Sequence, residues 1–256
     1  CLYPAHPGEC FTMARDAFDL AERFQTPVFV LSDLDIGMND WMVPRLTWDD
    51  DYVPDRGKVL TAEQLEGMEA FYRYLDVDGD GIAARTLPGV HPRGAYFTRG
   101  SGHDKYGRYT EDSALYQEVV DRLKRKVLSA GAASPQPIIE RQEGATISIV
   151  TVGACDNAVR EAIARYNAAG IAVDYLRLRA FPFADSVQEF LEEHEINYVV
   201  EGNRDGQMHR MLLLETTVER SRMTSVTAYG GMPMSAQDVL LGIDAARRRA
   251  QEGASA

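Results

Sequence analysis

Between residues 145 and 219 the chain alternates short apolar runs with stretches of helical spacing, and this rhythm limits the fold more tightly than any other feature. Ala145 to Val152 runs apolar or alternating as a strand, Gly153 supplies a turn, and Cys155 to Ala169 reads as a helix ended by Gly170. Ile171 to Leu178 is the next strand, Ser186 to Glu195 a helix, Ile196 to Glu201 a strand, and Gly206 to Glu219 a helix. Strands separated by helices cannot pair as hairpins, so the expected fold class is α/β, with a parallel sheet covered on both faces.

The amino end fits the same logic. Residues 8–25 place Phe11, Ala14, Ala17, Phe18, Ala21 and Phe24 at helical spacing, which predicts an amphipathic helix with these residues on its apolar face. Thr26-Pro27 stops it, and Val28 to Leu31 reads as a buried parallel strand ending at Ser32-Asp33. Helix then strand is half of a βαβ crossover. The chain opens at Cys1-Leu2-Tyr3-Pro4, which reads as the middle of a domain, so the expectation is a processed chain, a separated segment or an artificial boundary.

From about 40 to 110 the periodicity weakens and Trp, Tyr, Asp, Gly, Pro and Arg dominate, apart from a short helical candidate at 61–74. Connections of this length are either functional or ordered by a neighbour. Helical spacing resumes over 112–130, and Gly131 to Pro137 reads as a linker.

Charge and cysteine usage exclude several classes. A net charge of −12 on 256 residues repels a phosphate backbone, so no nucleic-acid partner is expected. Apolar runs such as Pro27 to Leu31 are far shorter than the ~20 residues that cross a bilayer, and no signal-peptide pattern precedes them. No membrane partner is expected, and the localisation read from this is cytoplasmic. Cys1, Cys10 and Cys155 form no CxxC pair, so neither a disulfide framework nor a self-contained zinc or iron–sulfur site is supported.

Four motifs bear on chemistry. Asp76-Val77-Asp78-Gly79-Asp80-Gly81 opens like an EF-hand loop, and Asp76, Asp78 and Asp80 are the metal candidates. The twelfth position is Leu87 rather than the bidentate glutamate, which leaves a carboxylate-lined turn that binds a metal weakly or none. Residues 85–108 gather Arg85, His91, Arg93, Arg99, His103, Lys105 and Arg108 among glycines. Of these, Arg85, Arg93, Arg99, His103 and Arg108 are candidates for binding an anionic substrate or cofactor through a carboxylate or phosphates, against a structural role in which the basic residues pair with nearby acids. Thr151 to Asn157 is a strand, glycine turn and helix start, where Asp156 or Asn157 is expected to cap the helix and the Cys155 thiol is open to a lowered pKa. Glu201, Asn203, Arg204 and Gln207 lie after a buried strand, at the edge where α/β sheets present ligands or meet a subunit. No serine or cysteine nucleophile sits at a known motif, so no catalytic residue is assigned.

Several strings resemble the α subunits of 2-oxoacid:acceptor oxidoreductases, in the 2-oxoglutarate:ferredoxin branch. They are Tyr3 to Glu9, Ala17 to Asp33, Arg85 to Gly89, Gly100 to Asp112 and Val200 to Gln207. The resemblance implies the end of a thiamine-diphosphate pyrimidine-side domain at 1–45, a connecting region with short helices at 46–137, a transketolase-C-terminal-like parallel-sheet domain at 138–250 and a frayed tail at 251–256. It implies thiamine diphosphate with Mg and a [4Fe–4S] cluster, held mainly by other domains and by a β subunit. The implied partners are that β subunit, the N-terminal portion of the α subunit and, through the complex, ferredoxin. The family's pyrimidine-contacting carboxylate has no counterpart here, so this chain alone is expected to be inactive. Two alternatives stay open: a non-catalytic assembly module, and a transketolase-like dehydrogenase component.

Overall fold

The computed structural model describes residues 1–254. In chain order it contains α1 (Pro7–Phe24), α2 (Leu34–Met38), α3 (Ala62–Glu66), α4 (Ser113–Ala133), β1 (Ile138–Glu140), β2 (Ile147–Val152), α5 (Cys155–Ala168), β3 (Asp174–Leu178), α6 (Asp185–Glu192), β4 (Ile196–Glu201), α7 (Gln207–Glu215), β5 (Met223–Thr227) and α8 (Ala236–Ala254). Two compact units share them. One comprises Cys1–Arg15, Phe29–Trp48 and Ser134–Ala256, the other Asp16–Val28 and Asp49–Ala133.

The first unit is built on a five-stranded sheet of order β1-β3-β2-β4-β5. Strands β2 to β5 are parallel, and β1 closes the β3 edge antiparallel, with Ile139 opposite Leu176. Alternation along each strand divides the apolar residues between two cores. Ile149, Tyr175, Tyr198, Val200 and Val226 face α5 and α8. Val150, Leu176, Leu178, Val199 and Met223 face α6 and α7. This is the α/β sheet covered on both faces that the rhythm demands. The added β1, β5 and α8 lie outside the expected elements. Residues 251–254 lie within α8, whereas 255 and 256 of the expected tail lie outside the described residues.

Two expectations at the amino end are corrected. The buried positions of α1 are Glu9, Met13, Leu20 and Phe24, while Phe18 is exposed. Spacing alone chose a face shifted around the helix, because a carboxylate occupies part of the buried one. Val28 to Leu31 makes no strand: Val30 forms a single parallel bridge with Leu2, and Phe29 and Leu31 are exposed. A strand needs a ladder on at least one side, and here it amounts to one rung.

The second unit has little regular structure. Its expected helix at 61–74 shortens to α3, which carries a capping box between Thr61 and Gln64 and stops at Gly67. Gln25 ends α1 in the left-handed region at φ 50°. Its amide is held there by the Ala83 carbonyl and by Arg73. Helix α4 starts on the Asp112 carboxylate, which accepts from the Ala114 and Leu115 N–H groups, and it continues through Gly131 to Ala133, so the expected linker is shorter.

Candidate functional site

The carboxyl ends of β2 and β4 form the place where this sheet would present a ligand, because α5 leaves β2 toward one face and α7 leaves β4 toward the other. Gly153 turns there at φ +66°, where an added Cβ would stand 3.1 Å from the Asp33 carboxylate. That carboxylate accepts from the Ala154 N–H at 3.0 Å through one oxygen and from the Ile36 N–H at 3.0 Å through the other. The α5 N-terminus, expected to be capped by Asp156 or Asn157, is thus served from α2's cap residue. Asp156 instead accepts from the Tyr175 hydroxyl and from Arg160.

This arrangement reverses the expectation for Cys155. Burial pushes its thiol up to about 12, and the nearby Asp33 carboxylate adds to the shift. Such a thiol stays protonated at neutral pH and is not an activated nucleophile. A diphosphate does not fit the same turn, since Asp33 already holds its amide with a negative group.

Of the edge residues, Glu201 is buried and works inward. Its carboxylate accepts from the Met208 N–H at 2.8 Å, the His209 N–H at 3.0 Å and the Asn203 amide, satisfying the first turn of α7. Asn203 accepts in turn from the Asp205 and Gln207 N–H groups. Gly206, the residue before α7, sits at φ +60°, so the loop needs glycine there. Arg204 pairs with its neighbour Asp205 in solvent, and Gln207 is exposed.

Two buried polar clusters beside the sheet escaped sequence reasoning. Glu9 receives a bidentate pair from Arg177 at 2.7 Å and 2.7 Å, an ion pair from Arg179 and the Ala5 N–H. Burial alone would raise its carboxyl, but these partners outweigh it and hold the pKa below the ordinary value. The other cluster joins His194 to Asp174 at 2.9 Å. It has the outline of a catalytic dyad, yet His194 is buried and its second nitrogen meets the Phe190 carbonyl, so it braces α6 against β3. No local sequence signal announces pairs 168 and 20 residues apart.

In the second unit, ligand atoms of Asp76, Asp78 and Asp80 lie within 4.8 Å of one another. A cation is already among them: the Lys58 ammonium donates to Asp78 at 2.6 Å, Asp80 at 2.7 Å and the Ile82 carbonyl at 3.0 Å. Asp76 accepts from the Gly79 and Gly81 N–H groups. Beside this turn lies a cleft of about 450 Å³ walled by Val59, Leu60, Met68, Phe71 and Leu75.

The five basic candidates take separate partners. Arg85 pairs with Glu22, and Arg93 donates to the Leu65 and Glu66 carbonyls at the end of α3. Arg99 donates to the Gly107 carbonyl, and His103 stacks on Tyr74 with centroids 4.0 Å apart. Arg108 lies over the Tyr106 ring. The acids expected to order this segment largely pair elsewhere: Lys58 holds Asp78 and Asp80, Arg125 approaches Asp76, and Asp112 caps α4.

A mostly parallel sheet under four helices, with the Asp33 and Glu201 carboxylates holding backbone N–H groups at its carboxyl edge, defines an α/β domain. Relatives sharpen that class. No family model matches the chain. It is 28% identical over 237 residues to subunit alpha of 2-oxoacid:ferredoxin oxidoreductase 2 from Aeropyrum pernix, covering 90% of this chain and 35% of that protein. It is 26% identical over 243 residues to the 2-oxoacid:ferredoxin oxidoreductase subunit alpha of Saccharolobus solfataricus, covering 93% and 37%. It is also 26% identical over 215 residues to the 2-oxoglutarate synthase subunit KorA of Methanothermobacter marburgensis, covering 81% and 53%. Among solved structures, a 2-oxoglutarate:ferredoxin oxidoreductase from Magnetococcus marinus, itself with 2-oxoglutarate, coenzyme A and succinyl-CoA bound, superposes with a TM-score of 0.80. That match has 24% identity, over 95% of this chain and 41% of the other, and bears on the fold. The chain is therefore similar to 2-oxoacid:ferredoxin oxidoreductase α subunits along most of its length, while spanning about a third to a half of the length of those relatives. Among the described residues no helix is long and apolar enough to cross a membrane.

Proposed function

We propose that this chain is a segment of the α subunit of a thiamine-diphosphate-dependent 2-oxoacid:ferredoxin oxidoreductase, acting on 2-oxoglutarate in a cytoplasmic complex. The reaction converts 2-oxoglutarate and coenzyme A to succinyl-CoA, carbon dioxide and a proton, passing two electrons to two oxidised ferredoxins. The observation that carries the reading is the alignment with oxidoreductase α subunits over about nine-tenths of the chain. Within the complex, residues 1–45 and 138–250 are scaffold at the cofactor-bearing cleft, and the 46–137 connection contributes the basic candidates. A β subunit and the N-terminal portion of the α subunit hold thiamine diphosphate, its Mg and the [4Fe–4S] cluster, with ferredoxin as electron acceptor.

The chain's own residues support a non-catalytic share of the work. Asp33 takes the amide that a diphosphate would need, and three cysteines fall short of the four thiolates of a [4Fe–4S] cluster. The assembly reading of Glu201, Asn203, Arg204 and Gln207 has its own support: two of them are spent on shaping the loop, leaving Arg204 and Gln207 exposed for a neighbour.

The test is purification with native partners, followed by mass spectrometry, iron analysis and 2-oxoglutarate- and CoA-dependent viologen reduction. Iron and activity found only in the complex support the proposal. A clean homo-oligomer that recruits no iron, thiamine or partner overturns it. A lipoyl transacylase as the companion would point instead to a transketolase-like dehydrogenase component.

A further inference from the structure

The structure divides the basic candidates of the connection into spent and unspent. Arg85 is tied to Glu22 and Arg93 to the end of α3, whereas Arg99 and Arg108 form no ion pair among the described residues. In a chain of net charge −12, two guanidiniums without a carboxylate partner are unusual. Both meet at one short hairpin. The His103–Tyr109 bridge joins its arms, and the Asp104 carboxylate accepts from the Tyr106 and Arg108 N–H groups at 2.9 Å each, which fixes the turn. Arg99 reaches that turn from outside it: Nε donates to the Gly107 carbonyl at 3.2 Å, and the backbone N–H donates to the Tyr74 hydroxyl at 2.9 Å. The two guanidiniums are therefore anchored on consecutive residues, Gly107 and Arg108, with most of their donors unused. Nearby acids are turned to other donors: Glu111 to the Tyr109 hydroxyl, Asp112 to the start of α4 and Glu118 to Lys105.

Two further features suit a phosphate ester. Among the described residues the Gly100 and Ser101 N–H groups have no acceptor, and a Cβ at Gly100 would meet nothing within 4 Å, so anionic oxygens can approach the backbone there. Beside them Phe97 lies under the Arg99 guanidinium, 78% exposed and in contact with no other ring. Forked guanidiniums and neutral N–H donors match the several oxygens of a phosphate, and an exposed ring gives a base a surface to stack on. We propose that Arg99, Arg108 and the Gly100–Ser101 backbone hold the phosphates of a nucleotide-type ligand whose base stacks on Phe97. Coenzyme A and a free nucleotide share that chemistry. The site stands on this turn and not on the reaction proposed above, so its binding is measured apart from activity.

Ligand-observed NMR titration of the full chain with ADP, coenzyme A and inorganic phosphate tests this, with circular dichroism to establish that each variant is folded. A nucleotide-type ligand is expected to bind with a Kd at or below about 1 mM, its base protons shifting upfield, and inorganic phosphate at least about tenfold more weakly because it has no base to stack. The tighter of ADP and coenzyme A names the source. Arg108→Gln loses no side-chain hydrogen bond among the described residues, and it weakens binding about tenfold or more, while Arg108→Lys recovers part of the loss by keeping the charge. Phe97→Ala weakens the nucleotide-type ligand and leaves inorganic phosphate unchanged. Binding by neither ADP nor coenzyme A up to about 5 mM, or binding indifferent to both Arg99→Gln and Arg108→Gln, overturns the proposal. An affinity unchanged in Phe97→Ala overturns the stacking. Protection of Arg99 and Arg108 by an acidic protein alone also overturns the proposal and assigns the turn to a protein contact.

Discussion

The two units of this chain use charge differently. In the sheet unit, two carboxylates are drawn inside and held there: Glu9 between Arg177 and Arg179, and Glu201 on three N–H donors. In the unit of the long connection, most pairs stay near the surface, as with Lys58 on Asp78 and Asp80 or Arg93 on Glu66, and large apolar side chains face outward. The difference teaches where each unit takes its definition from. Two apolar cores locate the strands and helices of the first, and buried ions then lock their registration. The second has no comparable core, so polar ties to backbone carbonyls set its path, and such ties are worth less in water.

If that contrast is right, Arg177→Ala has the largest effect. Glu9 would be left buried with its main counter-charge gone, a loss of about 3–5 kcal/mol in chemical unfolding of the sheet unit. The pH response carries the sign. Because the Glu9 carboxyl is held below its ordinary value in the folded state, its contribution is present above the unfolded pKa near 4.5 and is lost as pH falls through the lower folded value. Glu9→Gln should therefore flatten the acid limb of a stability–pH curve measured from pH 6 down to 2. An unchanged limb would break the assignment.

Glu201→Ala should come next, at about 2–3 kcal/mol, since buried N–H groups of Met208 and His209 lose their acceptor. Amide exchange at the start of α7 should accelerate while β3 stays protected. Gly206→Ala is smaller, about 1–2 kcal/mol, from the left-handed backbone and from a Cβ placed 2.7 Å from Ser225 Oγ. Thermal melts in parallel with Gly144→Ala would sharpen this, because Gly144 has the same kind of φ and open space around it. Lys58→Met should have the least effect on the melting midpoint, and whatever change appears should shrink at high salt. A large destabilisation there would erase the distinction between the units.

Much of the fold was legible locally. Apolar runs at 147–152 and 196–201, each followed by a glycine turn and helical spacing, specify buried parallel strands whatever surrounds them. Strand β5 was not, because Met223-Thr224-Ser225-Val226-Thr227 has too few apolar positions to stand out. Pairing with β4 makes it a strand. The site was legible only as a location. Glycines at 153 and 206 marked the sheet's carboxyl edge, but the approach of Asp33 to Ala154 across 121 residues left no trace in spacing. That approach adds to what burial does at Cys155, keeping its thiol protonated.

What the sequence by itself determined, then, is the periodic part: an α/β sheet unit, a long aperiodic connection and the helices that cap themselves, all set by interactions within a few residues. What only the tertiary structure decided is which charges are buried and against what. Lys126 turned inward while Val127 turned out, and burial raised the Cys155 thiol instead of lowering it. The physical reason is range: hydrophobic periodicity is written along one element, whereas the free energy of a charge depends on every group folded around it.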